Sequence, residues 1–149
     1  MRKPLDEIGP RFVAMAHGIG MCVVATTGDD GRPHTRVMQP VWEWDGAGLT
    51  GRASTSTAAP KLADLRHTPA ASLTYWIPEQ DTCSADCDVA LVTDPDDLRA
   101  AWDRFTAAPP AGFDPAVHPE WTRPPRPPSA SCGWTPGGSG SCRDADDGG

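Results

Sequence analysis

The N-terminal segment of the chain repeats apolar residues with the period of an α-helix. They recur at spacings of three and four: Leu5, Ile8, Phe12 and Met15. Side chains at these spacings lie on one face of a helix. Gly18 follows the run, where a helix commonly ends, although Pro10 within it has no backbone N–H to donate. We therefore expect a short amphipathic helix that ends near residue 18.

Three strand-like segments follow this helix. Residues 21–27, MCVVATT, are rich in β-branched residues, and the turn-forming sequence GDDGRP separates them from HTRVMQPVWEW at 34–44. Asp45-Gly46 is a second turn signal and leads into GAGLTGR. The pattern predicts a meander of three antiparallel strands, with residues 34–44 in one strand.

Residues 59–67, APKLADLRH, predict a second helix. Pro60 suits a first helical position, and Leu62 and Leu65 share one face. Pro69 ends this segment. Two further strands are expected in ASLTYWI at 71–77 and CDVALVT at 87–93.

Asp94-Pro95 opens a third helix, in which Leu98, Trp102 and Phe105 repeat at i, i+4 and i+7. The order is then helix, three strands, helix, two strands, helix. It lacks the strand–helix alternation of a parallel nucleotide-binding sheet. We therefore predict an α+β or mainly β fold, in which an antiparallel barrel carries short flanking helices.

The composition changes near the C-terminal end. Residues 122–149 contain no Val, Ile, Leu, Met or Phe, but five Pro, six Gly and four Ser. Such a segment buries too little apolar surface to fold by itself. We expect one folded domain at 1–121 and a disordered Pro/Gly/Ser-rich tail at 122–149.

Charge and apolar content argue against two classes of function. The chain of 149 residues has 13 basic and 20 acidic residues, so it lacks the excess of cations that non-specific nucleic-acid binding requires. No apolar run reaches the length of about 18 residues that a membrane span needs. Asp6 and Glu7 occupy the region where a signal peptide carries its apolar segment. We expect a cytoplasmic protein that binds neither nucleic acid nor membranes.

The cysteine and histidine residues give no site by themselves. Five cysteines lack the regular spacing of a disulfide framework, so reduced thiols are expected. Cys83 and Cys87 suggest half of a zinc site, but a second pair of ligands is missing, and we favour two small side chains near a strand start. The widely spaced histidines are predicted on the surface or in turns. No catalytic residue and no metal ligand is assigned.

Two cations offer a candidate anion site. Arg36 lies within a predicted strand, and the Ser/Thr-rich loop TGRASTSTAAPK leads to Lys61 in the first turn of a helix. A guanidinium, an ammonium, hydroxyl groups and the free amides of a helix start together suit a phosphate dianion. The alternative is that both residues are solvated surface cations.

Two stretches between residues 10 and 121 carry a family resemblance. VVATTGDDGRPHTRVMQPVWEWDG is similar to an opening hairpin, and STSTAAPKLADLRHTPAASLTYW to a Ser/Thr-rich loop, a lysine-bearing helix and the next strand. In this order they resemble the pyridoxamine 5′-phosphate oxidase-like family, the FMN-binding split β-barrels, and particularly its small single-domain bacterial members. The resemblance implies an antiparallel split barrel.

The resemblance also implies which residues hold the FMN cofactor. Arg36 and Lys61 are expected to grip its phosphate, with Ser56 and Thr57 donating hydroxyl hydrogen bonds nearby. Val37 and Met38 are expected beside the isoalloxazine ring, and Arg52 at the start of the Ser/Thr-rich loop.

The function implied by the resemblance is that of an FMN-dependent oxidoreductase acting on an unidentified small molecule. In such proteins the flavin usually sits at the interface of a homodimer, so a homodimer is expected. The chain lacks the C-terminal Arg-x-His element of the longer oxidases, so oxidation of pyridoxamine phosphate itself is not expected. The alternatives are a reductase that uses the deazaflavin F420 and a non-catalytic protein that binds flavin or haem.

Members of this family end in a final strand, which this sequence lacks. Residues 131–141 can be back-translated with G/C-leaning codons and then read in a shifted frame, from the last base of each codon and the first two bases of the next. The shifted frame encodes Leu-Arg-Leu-Asp-Pro-Trp-Arg-Leu-Arg-Leu. Its Asp, from the junction of Trp134 and Thr135, is the same whatever codon encodes Thr135. This reading is the basis for a frameshift hypothesis near residues 123–128, with a natural disordered tail as the alternative. We expect the final strand to be missing and the barrel to be less stable for it.

Overall fold

The computed structural model describes residues 4–56, 58–79, 81–107 and 129–143. The helices in these ranges are α1 (Leu5–Ile19), α2 (Lys61–His67) and α3 (Pro95–Ala107). The strands are β1 (Cys22–Thr27), β2 (Pro33–Met38), β3 (Val41–Trp44), β4 (Leu49–Ser56), β5 (Ala70–Trp76), β6 (Thr82–Val92) and β7 (Ser129–Arg143). The three predicted helices and the predicted strand regions are therefore present.

The strands pair antiparallel in one sheet, in the order β2-β1-β5-β6-β7-β4-β3. This arrangement confirms the predicted antiparallel α+β class. The expectation of one strand over 34–44 is wrong, because that segment divides into β2 and β3, which lie at opposite ends of the sheet. Pro40 lies in the two-residue connection, where its missing N–H removes a ladder donor and favours a break.

Apolar side chains on one face of the sheet build the core. Exposure alternates strictly along β5, where Ala71, Leu73 and Tyr75 are buried and their neighbours are exposed. Phe12 of α1 packs edge-on against Trp42, with ring centroids 4.9 Å apart. The indole N–H of Trp42 donates a hydrogen bond of 2.7 Å to the Tyr75 hydroxyl, so both buried polar groups are satisfied.

Helix α1 packs against β3, one of the two edge strands of the sheet. Nε2 of His17 accepts a hydrogen bond of 2.9 Å from the backbone N–H of Trp42, so this histidine belongs to a packed helix end rather than to a turn or the open surface. Burial lowers the pKa of His17, which favours the neutral, accepting form. The helix ends at Ile19 and not at Gly18, because Gly20 adopts the positive φ of 83° that closes it.

The expectation that the final strand is missing is wrong. Residues 129–143 form β7, which pairs with β4 on one side and with β6 on the other. Backbone N–H and C=O groups make these ladders, so a sequence poor in apolar residues is able to fill the place between two strand edges. The folded unit therefore includes residues up to Arg143, and residues 129–143 form a strand where a disordered tail was expected. The rest of that predicted tail, 122–128 and 144–149, lies outside the described residues.

Residue Pro136 of β7 lies where the strand register changes. The pairing of β6 with β7 shifts between Ala85 and Cys87, and Cys87 is the residue paired with Pro136. Proline is tolerated at such irregularities because the ladder there needs no N–H from it. The frameshift hypothesis for this segment stays a prediction.

Candidate functional site

The β1–β2 hairpin sets the register of the candidate site. It pairs Val24 with Arg36 and Thr26 with His34, so these residues occupy alternate positions along the two strands. Thr26 is buried, and the alternation directs His34 and Arg36 of β2 toward the same face as Thr26. Gly31, with a φ of 78°, provides the left-handed residue of the turn that fixes this pairing.

A buried carboxylate on α2 faces the hairpin. Asp64 is 7% exposed, because Leu62 and Leu65 on the same short helix are buried in the core. Its Oδ2 accepts a hydrogen bond of 2.7 Å from the Thr26 hydroxyl and lies 2.9 Å from Nδ1 of His34. One carboxylate oxygen therefore joins α2 to both strands of the hairpin.

The guanidinium of Arg36 completes this arrangement. Its Nη1 donates to the Thr26 hydroxyl at 2.7 Å and approaches the Val24 carbonyl at 3.5 Å, and its Nη2 lies 3.6 Å from Oδ2 of Asp64. An arginine side chain has five N–H donors, so donors remain for an anion after these three contacts. We call Thr26, His34, Arg36 and Asp64 the Arg36–Asp64 cluster.

The ionisation of the cluster follows from its hydrogen bonds. The hydrogen bonds from Thr26 and then His34, together with the positive charge of Arg36, lower the pKa of Asp64, although burial opposes them. Burial lowers the pKa of Arg36, and the charge of Asp64 opposes that shift. Asp64 is therefore an anion at neutral pH and Arg36 a cation, since arginine stays protonated in proteins.

The loop after β4 brings the second predicted cation to the same helix. Lys61 is the half-buried first residue of α2, three positions before Asp64. Residues three apart on a helix are neighbours on its surface, so Lys61 begins the turn that carries the carboxylate bound to Arg36. Arg36 therefore contacts the same short helix that Lys61 begins.

Two hydroxyl groups at the end of β4 have different surroundings. The Thr55 side chain is buried, and its Oγ1 has no hydrogen-bond partner within the described part of the chain. A buried hydroxyl without a partner is costly, so this position calls for a bonding group such as a water molecule or a ligand. Ser56 is exposed, and its Oγ accepts the backbone N–H of Ala58 at 3.2 Å. Thr57 lies outside the described residues.

The other predicted cofactor residues lie in different places. Val37 is 65% exposed on the outward face of β2, opposite to Arg36, and Met38 is half-buried against the core. Arg52 forms an ion pair with Glu43 of β3, which also lies 3.3 Å from Nε of Arg104 in α3. None of the contacts between described residues joins Arg52 to the Arg36–Asp64 cluster.

A groove of about 400 Å³ is lined by residues of β1, β5 and β6. Its outward-facing residues include Ala25 and Thr27, the chain neighbours of Thr26. Ser72 and Asp86 line the same groove, where the Ser72 hydroxyl donates to Asp86 at 2.5 Å. Thr26 also lines this groove, so the groove and the Arg36–Asp64 cluster meet at this residue of β1.

The described residues provide neither a cluster of metal ligands nor a membrane-spanning helix. These ranges contain no group of three or more His, Cys, Asp or Glu side chains placed to hold a metal ion. Cys83 and Cys87 are buried side chains of β6, and burial raises the pKa of Cys87 to about 12. Nor do the same ranges include a helix with the length and apolar content of a membrane span.

Sequence reasoning missed Thr26, His34 and Asp64. The interaction of Thr26 with Asp64 joins residues 38 apart, which no local pattern reports. A signal was nevertheless present, because Asp64 stands between Leu62 and Leu65 on a helix of seven residues and so had to lie close to the buried face. A carboxylate in that position requires a donor or a cation nearby.

Comparison with protein-family models finds a match over most of the chain. The family model described as pyridoxamine 5′-phosphate oxidase matches residues 8–123. This range contains the whole of the Arg36–Asp64 cluster and Lys61. A search of the curated proteins found no match.

Solved structures with the same fold cover nearly the whole chain. HutZ, the haem storage protein of Vibrio cholerae, is 13% identical with a TM-score of 0.67, over 89% of this chain and 92% of that one. An F420 reductase is 18% identical with a TM-score of 0.63, over 86% and 94%. A Clostridium acetobutylicum protein of the pyridoxinephosphate oxidase family, related to general stress protein 26, is 13% identical with a TM-score of 0.63, over 95% and 97%. These likenesses show the split-barrel fold, and with the family match they establish that the chain belongs to the pyridoxamine 5′-phosphate oxidase family.

Proposed function

We propose that the protein is an FMN-dependent oxidoreductase that acts on a small molecule and holds the FMN phosphate between Arg36 and Lys61. The observation that carries the proposal is the Arg36–Asp64 cluster. It fixes a partly buried guanidinium, which keeps spare donors, against the helix that Lys61 begins.

Preorganisation is what makes this arrangement suitable for a phosphate group. The contacts of Arg36 with Thr26 and Asp64 hold a long side chain in one place, so less conformational entropy is lost when an anion binds. The guanidinium and the Lys61 ammonium offer charge-assisted hydrogen bonds to phosphate oxygens. The buried Thr55 hydroxyl, close in sequence to Lys61, adds a donor that lacks a partner among the described residues.

FMN supplies the hydride chemistry when it is bound, so the chain has to bind and orient it. In this proposal Ser56 and Thr57 add hydroxyl groups beside the phosphate, and Val37 and Met38 lie along the isoalloxazine ring. Arg52, which pairs with Glu43, is the member of the predicted set with the least support from the geometry.

A homodimer is part of the proposal. Four apolar side chains, Met21, Val23, Val37 and Trp76, are exposed around β1, β2 and β5. The strand register places Val23 beside Val37 on one side and beside Thr74 on the other, so this is a continuous outward face. A second copy of the chain covering it removes apolar surface from water. Val37→Asp is expected to yield a monomer in analytical ultracentrifugation, and a wild-type protein that sediments as a monomer contradicts the dimer.

A second candidate cofactor is the deazaflavin F420. Its support is the F420 reductase among the proteins with this fold. Because F420 also carries a phosphate group, Arg36 and Lys61 serve either cofactor in the same way.

The absorbance spectrum of the purified protein tests the proposal directly. We expect a yellow protein that releases FMN on heating, and a colourless protein that binds added F420 but not FMN supports the second candidate. Arg36→Ala and Lys61→Ala are each expected to weaken FMN binding at least about tenfold, because each removes a charge-assisted contact. Arg66→Ala, which changes an exposed cation of the same helix, is the matched control and should leave the affinity unchanged.

A second variant separates binding from folding. Thr55→Val replaces the buried hydroxyl with a methyl group of similar size, which should not lower the stability of the FMN-free protein, since no described group bonds to that hydroxyl. It is expected to weaken FMN binding. Unchanged FMN affinity in Arg36→Ala and Lys61→Ala together would falsify the proposed phosphate site.

A further inference from the structure

His34 shares its carboxylate partner with Arg36. Nδ1 of His34 lies 2.9 Å and Nη2 of Arg36 lies 3.6 Å from the same atom, Oδ2 of Asp64. An ionised carboxylate only accepts hydrogen bonds, so Nδ1 carries a proton and Nε2 is the nitrogen that receives the second proton of an imidazolium. The His34 side chain is 51% exposed, which gives Nε2 access to protons from solvent.

Other charged groups surround His34 on three elements. In the β1–β2 turn, Asp30 lies near the ring of His34. A Cβ atom built on Gly28 would be 2.8 Å from Cε1 of His34 and 3.0 Å from Oδ1 of Asp30, so the two side chains meet above Gly28. Asp30 is itself paired with Arg32 at 3.5 Å. On β2 and α2 the charged or titratable residues are Arg36, Lys61, Asp64, Arg66 and His67. Asp64 is the carboxylate in direct contact with both His34 and Arg36.

The charge of His34 alters what Asp64 does to an incoming anion. With His34 neutral, the negative charge of Asp64 offsets the positive charge of Arg36 and opposes a second anion. With His34 protonated, its charge balances that of Asp64, and the charge of Arg36 is left for the ligand. An added proton therefore increases the attraction of the cluster for a phosphate group.

We infer that His34 makes phosphate binding at Arg36 dependent on pH, with tighter binding when His34 is protonated. The inference rests on the proposed function, because it concerns the regulation of the proposed FMN phosphate site. By linkage, a bound phosphate group raises the affinity of His34 for its proton by the same factor. His34 is thus a positioning residue that acts on the ligand through Asp64.

The test compares wild type with His34→Asn, whose amide nitrogen replaces the Nδ1 donor without a titratable group. FMN dissociation constants are measured from about pH 8 to about pH 5.5, the range in which histidine side chains change charge. The phosphate of FMN itself titrates near pH 6, so the measured quantity is the ratio of the variant's constant to that of wild type, in which the ligand's own titration cancels. The ratio of dissociation constants should be near one at about pH 8. It should rise to at least about fivefold at about pH 5.5, which is the lower bound of typical coupling between two sites.

Three controls make the result specific. Riboflavin, which has no phosphate, should show a ratio that does not change with pH, and its binding also reports a folded variant. His67→Asn changes an exposed histidine at the end of α2 and should keep the ratio at one. His34→Gln, a second neutral replacement, should repeat the result of His34→Asn.

The outcomes separate this inference from the proposed function. FMN binding by wild type with a ratio that stays flat in both His34 variants overturns the role of His34 and leaves the phosphate site in place. A pH-dependent ratio with riboflavin as well places the effect away from the phosphate and also overturns it. Absence of FMN binding by wild type at every pH overturns the proposed function and the inference together.

Discussion

Two carboxylates of this barrel hold arginine side chains, in different surroundings. The Asp64 side chain is 10% exposed and contacts Arg36 together with Thr26 and His34, whereas the Glu43 side chain is 42% exposed and contacts Arg52 and Arg104. An exposed ion pair gains little, because water solvates the separated charges almost as well. In the cluster Thr26 and Asp64 are buried, so a lost contact leaves one of these two polar groups without water, and their geometry is held more firmly.

The comparison predicts its largest effect at Thr26, which bonds both to Asp64 and to Arg36. Thr26→Val keeps the shape but removes the hydroxyl, so a buried carboxylate loses a donor and Arg36 loses an acceptor. We expect the free energy of unfolding to fall by about 1–3 kcal/mol. Urea denaturation of this variant and of Thr27→Val, at the exposed neighbouring position, is the measurement. An equal loss in both variants would show that the cluster adds no stability of its own.

The second prediction concerns acid. The folded-state pKa of Asp64 is lowered, mainly by the Thr26 hydrogen bond, so its contribution to stability is complete above the unfolded-state value near 3.9 and is lost as the pH falls through the folded-state pKa. The stability of wild type should therefore fall more steeply below about pH 4 than that of Asp64→Asn.

The measurement is urea denaturation at several pH values. Asp103→Asn, at an exposed position of α3, should keep the wild-type slope. Parallel curves for wild type and Asp64→Asn would contradict the assignment of the acid-sensitive contribution to the cluster.

The smallest effect is expected at the exposed carboxylate. Glu43→Ala should change the free energy of unfolding by no more than about 1 kcal/mol, and added salt should reduce even that. Arg52→Ala should leave FMN affinity unchanged if Arg52 serves only this ion pair. A loss of FMN affinity in Arg52→Ala would instead support a place for Arg52 in the cofactor site. The Glu43 ion pairs would then no longer differ from the Arg36–Asp64 cluster in this respect.

Local patterns predicted the elements of the fold well. The spacing of Leu5, Ile8 and Phe12 predicted α1, and the turn signals predicted the β1–β2 and β3–β4 hairpins, since these features depend on residues close in sequence. The division of 34–44 into two edge strands was not predicted, because both halves have strand character and their separate places depend on strand partners far away in sequence, even though Pro40 between them favours a break. The strand β7 was missed because its ladders depend on backbone groups and on partners far away in sequence.

The candidate site was predicted in part for the same reason. Arg36 and Lys61 were found through their order along the chain and the family resemblance, which the family match over 8–123 confirms at the level of the family. Their roles in binding stay predictions. Asp64 and Thr26 were missed, because their contact depends on the packing of α2 against β1 and no repeat in the sequence encodes it.

The position of β7 within the sheet has a consequence for how the molecule opens. It joins β6 to β4, so a strand without Val, Ile, Leu, Met or Phe forms the seam between a four-stranded part, β2-β1-β5-β6, and a two-stranded part, β4-β3. Partial unfolding tends to follow the weakest apolar contact. Amide hydrogens along this seam should therefore exchange with deuterium before those of β1 and β5, so the protein opens at its middle while the hairpin that carries Arg36 stays closed.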